Sequence, residues 1–250
     1  MSMTMAPTAI AGVVVIAREP STPRIMRRMP IEWVFLDVGG ILFSDDSYFT
    51  SLYEAIAAVA PDTTRAAFDA RFDALRSAQS EPFTEALVSA FIPNPAWHAA
   101  VRADADARWE VRGYRDDELY PEVPSVLATL ARDYKLACIT NHFSWVRDRS
   151  REAGFAEHVT VWAISAEIGV EKPSPEIFEH ALRAAGTDAS KVVMVGDRLD
   201  RDIRPAKNVG MRTVWILRNE APDDPTADQL AVPDASVRSL DEVPALIAGW

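Results

Sequence analysis

The chain has 250 residues, of which 48% are hydrophobic and 25% are charged, so it is long enough for a sizeable core and has the composition of a globular protein. Its formal net charge of -11 at pH 7 argues against nucleic acid or an anionic membrane as a partner, because phosphate groups are bound by clustered Lys and Arg. The single cysteine, Cys138, excludes an intramolecular disulfide and favours a reducing, cytoplasmic setting.

Residues 1–30 differ in composition from the rest of the chain. An apolar run at residues 9–17 is too short to span a bilayer, and no basic segment precedes it as a secretory signal requires. We therefore predict a loosely ordered N-terminal extension, or a start codon assigned too early, since Met29 directly precedes the first core segment. A targeting role is the alternative interpretation.

The first core segment is a short apolar run at residues 33–36, which ends at Asp37 and is followed by Val38, Gly39 and Gly40. This pattern predicts a buried strand that breaks into a glycine-containing turn. In an open parallel sheet, ligands bind beyond the carboxyl ends of the strands, and glycine lets the backbone approach a phosphate or a metal. Asp37 is therefore placed where a nucleophile could act, although an Asp that only ends a core strand is the plainer interpretation of such a motif taken alone.

The segment between this strand and Tyr120 shows no strand pattern. Its apolar spacing predicts helices around residues 48–59, 64–76, 84–91 and 95–109. We assign residues 45–118 to a helical insert, and residues 31–44 together with 119–250 to the core domain.

The rest of the chain contains four more apolar runs, at residues 136–140, 159–164, 192–195 and 213–217. They alternate with helical patterns, which indicates a parallel sheet covered on both faces. The predicted fold class is thus α/β, a doubly wound, parallel, five-stranded Rossmann-like core with an inserted α-helical domain. Residues 222–233 are expected to form a loop, and residues 239–242 to begin a short closing helix.

Three later segments carry polar side chains that continue the pattern begun at Asp37. The run at 136–140 ends in Thr140 and is followed by Asn141, and Lys172 precedes a helix whose start is marked by Ser and Pro. The run at 192–195 leads into a Gly-Asp pair, with Asp202 five residues beyond the Asp.

Together, the four segments resemble the motifs of the haloacid dehalogenase-like (HAD) superfamily of hydrolases, which read Asp-x-Asp-Gly-Thr, Ser/Thr, Lys-Pro and Gly-Asp-x-x-x-x-Asp. The resemblance runs from about residue 31 to the C-terminus and is carried by Asp37, Thr140, Lys172-Pro173, Gly196-Asp197 and Asp202. It implies that the helical insert is a cap, which in many members closes over the active site, excludes water and selects the leaving group.

The resemblance also implies Mg²⁺-dependent hydrolysis of small phosphate monoesters, with a small phosphorylated metabolite as the partner. Asp37 would attack phosphorus and form an aspartyl phosphate. Thr140 and Lys172 would complete the catalytic set by holding the phosphate oxygens. The implied further substrate contacts are Gly40, Asn141 and His142.

The implied Mg²⁺ ligands are Asp37, the backbone carbonyl of Gly39 and Asp197, with Asp202 nearby or acting through water. These are hard oxygen ligands, which Mg²⁺ prefers.

Gly39 departs from the first motif, in which phosphatases carry a second aspartate that protonates the leaving oxygen. General acid-base catalysis contributes roughly 100- to 10,000-fold to a rate, so this departure matters. Three alternatives stay open. Asp45, Asp46 or a cap residue supplies the acid, or the substrate has a good leaving group, or the protein binds a phosphorylated ligand and turns it over poorly or not at all.

Three other functions fit the sequence less well. A 2-haloacid dehalogenase shares Asp37 as nucleophile but typically has Tyr in place of Gly39 and lacks the acidic pair Asp197 and Asp202. A phosphonoacetaldehyde hydrolase needs a Schiff-base lysine in the cap, and residues 44–119 contain no lysine. A non-catalytic ligand sensor is favoured by Gly39 alone. The sequence leaves the oligomeric state open.

Overall fold

The computed structural model describes residues 30–79 and 82–250. The extension predicted at residues 1–30 lies outside the described residues, apart from Pro30. Within the described ranges, no helix combines the length and the apolar character that crossing a membrane requires.

The described residues form a six-stranded sheet in which every pair of neighbouring strands is parallel. The strands are β1 (Trp33–Leu36), β2 (Lys135–Thr140), β3 (Val159–Ile164), β4 (Val192–Gly196), β5 (Arg212–Ile216) and β6 (Ala235–Val237). Their order is β3-β2-β1-β4-β5-β6, so the chain first builds outward from one side of β1 and then from the other. The carboxyl end of β1 therefore lies at the switch point where open parallel sheets form their binding crevice.

Helices alternate with the strands along the chain, and some of them cover both faces of the sheet. Before β2 the helices are α1 (Asp46–Val59), α2 (Arg65–Ala78), α3 (Phe83–Phe91), α4 (His98–Arg112) and α5 (Val123–Asp133). After β2 they are α6 (Val146–Glu152), α7 (Ser165–Ile168), α8 (Pro175–Ala185), α9 (Arg204–Asn208), α10 (Ala227–Leu230) and α11 (Val243–Ala248). Apolar residues of α5, α6 and α11 pack on one face, and those of α8 and α9 pack on the other.

The central strand β1 shows why both faces must be covered. Val34 and Leu36 belong to one hydrophobic cluster, while Trp33 and Phe35 belong to the other. Successive side chains of a strand point to opposite faces, so an unbroken apolar run is stable only between two layers of helices. The predicted α/β fold with a doubly covered parallel sheet is confirmed.

Helices α1–α4, between β1 and α5, enclose a hydrophobic cluster of their own. Leu52, Phe68, Phe83 and Leu87 are buried in it, and the rings of Phe49 and Phe83 meet edge to face with centroids 5.6 Å apart. Burial of such side chains stabilises a helical unit far more than intrinsic helix propensity does. The insert thus has a core separate from those that flank the sheet.

The insert also contacts the loops beyond the sheet through Gln79, the residue that ends α2 in a left-handed conformation. Its Nε2 donates to Glu220 O, and its Oε1 accepts from Leu199 N at 3.0 Å. Nearby, Arg76 pairs with Asp223 at 2.8 Å. The insert is therefore attached to the core by side-chain contacts in addition to its two chain connections.

The prediction of five strands is wrong by one, because β6 adds a sixth at the edge of the sheet. This strand has only three residues and lies between Asp234 and Arg238, so it produces no apolar run long enough to recognise. It pairs with β5 alone.

One further segment differs from its predicted form. The expected loop at residues 222–233 contains the short helix α10, which begins with a capping box between Thr226 and Gln229. The helical segment after β4 starts with a π-helical turn, Leu199–Ile203, before α9. Glycine still follows this helix, in the positive-φ conformation of Gly210.

Candidate active site

Asp37 follows β1 directly and remains hydrogen-bonded to the sheet, since its N–H donates to Val195 O of β4 at 3.0 Å. Its Oδ1 accepts from Val38 N at 2.7 Å, and its Oδ2 lies 2.7 Å from Lys172 Nζ. Burial raises the pKa of Asp37 to about 6, although the nearby Lys172 charge opposes the shift. The carboxylate is therefore fixed at the tip of the central strand, with one oxygen directed toward a cation.

Lys172 is buried and contacts two carboxylates, with Nζ 2.7 Å from both Asp37 Oδ2 and Asp202 Oδ1. Burial lowers the pKa of Lys172, but the charges of Asp202 and Asp37 outweigh that effect and raise this pKa above its usual value. Asn141, suggested by the sequence as a substrate contact, accepts from Lys172 N at 2.7 Å and donates to Lys172 O at 2.9 Å. The Asn141 amide thus fixes the backbone of the lysine.

Asp37, Asp197 and Asp202 form a buried cluster in which one oxygen of each lies within 4.8 Å of the others. Burial, together with the charges of Glu220 and Asp202, raises the pKa of Asp197 well above its usual range. Three buried carboxylates this close together repel one another unless a cation offsets their charge. A hard divalent cation fits such a set of buried oxygen donors.

Asp202 is fully buried, and both of its carboxylate oxygens accept hydrogen bonds. Its Oδ1 accepts from Lys172 Nζ at 2.7 Å, and its Oδ2 accepts from Arg198 N at 3.0 Å. A Cβ at Gly196 would lie 2.4 Å from the Cβ of Asp202, so this close approach requires the glycine. Asp202 can therefore orient Lys172. Because both of its oxygens already accept hydrogen bonds, it is better placed beside a bound cation than in direct contact with one.

The turn after Asp37 depends on Gly40, which has a φ of 72° and lies against Asp197. A Cβ at Gly40 would approach Asp197 Oδ2 to 2.2 Å, so only glycine fits there. Gly39 precedes it and lines the same cavity as Asp37. Thr140, at the end of β2, is buried and also lines that cavity.

His142 is buried among aromatic side chains, with its ring centroid 4.4 Å from that of Trp109, 4.5 Å from that of Trp145 and 5.4 Å from that of Tyr114. Its Nδ1 lies 3.1 Å from Phe143 O. Because a carbonyl only accepts hydrogen bonds, Nδ1 carries the proton. Burial lowers the pKa of His142 to about 3, so the ring is neutral at pH 7.

Six of the predicted site residues line a cavity of about 770 Å³ between the insert and the carboxyl edge of the sheet, namely Asp37, Gly39, Thr140, Asn141, His142 and Lys172. Gly40, Asp197 and Asp202 are not among its lining residues. Ligand pockets for small molecules typically occupy roughly 300–1,000 Å³, so a small metabolite fits. Asp37, Thr140 and Lys172 line it from the core. The insert contributes Tyr48, Thr84, Glu85, Arg102, Asp106 and Trp109.

The loop after β5 supplies a site residue that the sequence-based prediction missed. Asn219, with a φ of 52°, donates from Nδ2 to Asp45 Oδ2 at 2.9 Å and to Asp197 Oδ2 at 3.1 Å. The sequence did contain a signal for Asn219, since this residue follows closely after the predicted strand at residues 213–217. The carboxyl ends of β1, β4 and β5 lie at one edge of the sheet, so polar residues just beyond them are candidates for the site.

Comparison with known proteins shows matches over much of the chain. The model of the haloacid dehalogenase-like hydrolase family matches residues 31–210. The phosphoserine phosphatase of Thermus thermophilus is 41% identical over 130 residues, which cover 50% of this chain and 49% of that protein. The glyceraldehyde 3-phosphate phosphatase of Methanopyrus kandleri is 37% identical over 122 residues, which cover 47% and 52%. The chain thus spans about half the length of these curated relatives.

Among solved structures, the haloacid dehalogenase-like family protein SP0104 of Streptococcus pneumoniae superposes with a TM-score of 0.70. The two chains are 18% identical, and the match covers 86% of this chain and 98% of the other. At this identity the likeness concerns the fold alone.

Proposed function

The chain belongs to the haloacid dehalogenase-like hydrolases, and from that membership we propose that it is a Mg²⁺-dependent hydrolase of small phosphate monoesters that forms an aspartyl phosphate on Asp37. The observation that carries the proposal is the buried carboxylate of Asp37 at the tip of β1, 2.7 Å from Lys172 Nζ. The relatives named as phosphoserine and glyceraldehyde 3-phosphate phosphatases support the substrate class.

Lys172 and Thr140 bind the phosphate of the substrate. The ammonium group offsets the negative charge of the phosphate oxygens, so that the anionic Asp37 can approach phosphorus. Asp202 and Asn141 hold the lysine in position through the hydrogen bonds described above. The further substrate contacts that we propose are Gly40, in the turn beside Asp197, and His142, which lines the cavity.

The residues that would hold Mg²⁺ are Asp37, Asp197 and the backbone carbonyl of Gly39, with Asp202 beside the ion or acting through water. When bound, the cation supplies electrostatic stabilisation of the phosphoryl oxygens.

The reaction itself takes place at Asp37. Its carboxylate attacks phosphorus in line with the leaving group, the bond from phosphorus to the leaving oxygen breaks, and the phosphoryl group is left on Asp37. Water then attacks the aspartyl phosphate and releases inorganic phosphate, which restores the carboxylate. Residues 45–118 act as the cap, which encloses the cavity and limits access of bulk water.

The leaving oxygen must also receive a proton unless it departs readily as an anion. Gly39 has no side chain to supply one. Either the substrate carries a good leaving group, or another carboxylate of the cavity supplies the proton.

The expected setting is cytoplasmic, and the expected partner is a small phosphorylated metabolite. Support comes from the net charge of -11, which disfavours polyanionic partners, and from the single cysteine, Cys138, which is buried in β2.

The test is phosphate release from p-nitrophenyl phosphate, anomeric sugar phosphates, acyl phosphates and alkyl phosphates, measured with Mg²⁺ or with EDTA. We expect turnover that requires Mg²⁺ and falls by roughly 10,000-fold or more in Asp37→Asn, because the nucleophile is lost. Turnover that survives in Asp37→Asn would refute the proposal. Binding of phosphate analogues without turnover of any substrate would instead indicate a phospho-ligand-binding protein.

A further inference from the structure

The space beside Gly39 is already occupied by a carboxylate. A Cβ built on Gly39 would lie 2.4 Å from Asp45 Oδ1 and 2.7 Å from Asp45 Oδ2. Two atoms cannot approach so closely, so a side chain at position 39 and the carboxylate of Asp45 exclude each other. Asp45 therefore places two oxygens next to the turn that carries Asp37, and all three residues line the same cavity.

The Asp45 side chain does not cap the helix that follows it. It stands at the N-cap of α1, where an Asp side chain usually accepts a hydrogen bond from the first turn of the helix. Here no such hydrogen bond is formed, and the carboxylate is buried instead. The adjacent Asp46 lies in the first turn of α1 and is exposed, so it does not share this environment.

Two polar side chains orient the Asp45 carboxylate. Asn219 Nδ2 donates to Oδ2 at 2.9 Å, and the Tyr114 hydroxyl donates to Oδ1 at 3.4 Å. Asn219 also donates to Asp197 at 3.1 Å, which ties Asp45 to the carboxylate cluster at the sheet edge. The ring of Tyr114 stacks on Phe43 with centroids 4.4 Å apart, so the hydroxyl is itself fixed by packing. The orientation of the Asp45 carboxylate is thus fixed by a hydrogen bond to each of its oxygens.

We propose that Asp45 is the general acid and base of this enzyme and replaces the carboxyl group that position 39 lacks; this inference rests on the proposed phosphatase activity. As Asp37 attacks phosphorus, the bond to the leaving oxygen breaks and the protonated Asp45 gives its proton to that oxygen, which leaves as an alcohol. The resulting Asp45 carboxylate then takes a proton from water as the water oxygen attacks the aspartyl phosphate. Asp37 is released as a carboxylate, Asp45 is protonated again, and phosphate departs.

The first test compares leaving groups in Asp45→Asn. For the alkyl phosphate that the wild type hydrolyses fastest, phosphoserine and glyceraldehyde 3-phosphate included, kcat/KM is expected to fall roughly 100- to 10,000-fold. For p-nitrophenyl phosphate, whose leaving group departs without a proton, kcat/KM is expected to change less than about tenfold, because this constant reports the step up to leaving-group departure. Asp46→Asn is the matched control and is expected to leave both constants unchanged.

The same variant separates the two halves of the proposed role. Without a base, hydrolysis of the aspartyl phosphate becomes slow, so Asp45→Asn is expected to release about one p-nitrophenolate per enzyme in a rapid burst before slow turnover. The wild type, in which Asp45 supplies the base, is expected to show no such burst. A burst of equal size in the wild type and in Asp45→Asn would contradict the role of Asp45 as the base.

The second test exchanges the two positions. Asp45→Ala vacates the space beside Gly39, and the added Gly39→Asp returns a carboxylate to it. Relative to Asp45→Ala alone, the double variant is expected to recover at least about tenfold in kcat/KM on the alkyl phosphate. The single variant Gly39→Asp crowds two side chains into one space and is expected to melt at a lower temperature than the double variant.

The outcomes separate this inference from the function on which it rests. An equal loss on alkyl and aryl phosphates in Asp45→Asn, or turnover of p-nitrophenyl phosphate but of no alkyl phosphate by the wild type, overturns the role of Asp45 and leaves the hydrolase standing. No turnover of any phosphate by the wild type overturns both.

Discussion

The carboxyl edge of the sheet and the helical insert meet at one cavity but are built in different ways. At the sheet edge, buried charges are paired with one another, as Lys172 is with Asp37 and Asp202. The insert is held together by an apolar cluster, and its polar side chains at the cavity, such as Arg102 and Asp106, project from the face of α4.

This difference explains why the two regions are not equally predictable. A residue directly after a parallel strand has its position set by the strand itself, so the end of an apolar run indicates where a side chain lies. A residue on a helix faces the cavity only if the helix packs at a particular angle, which depends on many distant side chains. Substitutions in the two regions should therefore differ in effect. Removing a buried charge at the sheet edge should lower both stability and activity, whereas removing an apolar side chain from the insert should lower mainly stability.

The largest effect is expected for Lys172→Met. Removing one partner of a buried ion pair costs roughly 3–5 kcal/mol, because the remaining carboxylates lose their compensating charge. Under the proposed function Lys172 binds the phosphate, so its loss should also lower kcat/KM by roughly 100- to 1,000-fold. Urea unfolding and steady-state kinetics measure the two losses.

The matched control is Lys207→Met, since Lys207 pairs with Asp234 at 2.9 Å on the surface, where its side chain is 36% exposed. Such pairs contribute less than about 1 kcal/mol. Equal losses in the two variants would show that burial of Lys172 is not what makes it important.

In the insert, Leu87→Ala is expected to reduce the free energy of unfolding by roughly 2–5 kcal/mol, because Leu87 is fully buried in the apolar cluster. At a temperature where the variant is folded, kcat/KM on p-nitrophenyl phosphate should fall far less than in Lys172→Met, since no charge at the sheet edge changes. Val111→Ala, at a side chain 90% exposed, should change stability by less than about 0.5 kcal/mol. A loss of kcat/KM in Leu87→Ala as large as that in Lys172→Met would contradict the distinction between the regions.

His142 lies where the two regions meet, and it makes the stability depend on pH. Its pKa of about 3 in the folded protein lies below the usual value of 6.5, so the unfolded chain binds a proton that the folded protein does not. Stability is therefore lost as pH falls below 6.5, by about 1.4 kcal/mol per pH unit, or roughly 2 kcal/mol by pH 5. His142→Gln should lack this loss.

The measurement is urea unfolding at pH 7 and pH 5. His180→Gln, on α8 and only partly buried, should keep the pH dependence of the wild type. If His142→Gln and the wild type lose the same stability between the two pH values, His142 is not the group that titrates.

The smallest effect is expected at the surface of the insert, in Arg112→Lys. Arg112 joins α4 to α1 through hydrogen bonds of 2.8 and 3.0 Å to Glu54 and of 2.6 Å to Ser51 Oγ. Lys cannot form the same forked contact with Glu54. Because the side chains of Arg112 and Glu54 are both partly exposed, the free energy of unfolding should fall by only about 0.2–1 kcal/mol, and this loss should shrink as salt is added. Chemical denaturation at low and high salt tests this, and a loss that grows with salt would contradict it.

The sequence was sufficient for the fold and for the strand-end residues, and it was insufficient for contacts between distant segments. Asp37, Thr140 and Asp197 were predicted at the ends of strands in a parallel sheet, and the structure places all three at the carboxyl edge of that sheet. The contact between Asp45 and Asn219 joins residues 174 positions apart, and no local pattern encodes it. That Asp45 fills the space left by Gly39 could likewise be seen only in three dimensions.

Gln79 joins the insert to the core in addition to the two chain connections that flank α1–α4. Any movement of α2 and α3 away from the loops beyond the sheet would break its hydrogen bonds with Glu220 and Leu199. Under the proposed role of residues 45–118 as a cap, this contact would act as a latch that slows the release of an enclosed substrate.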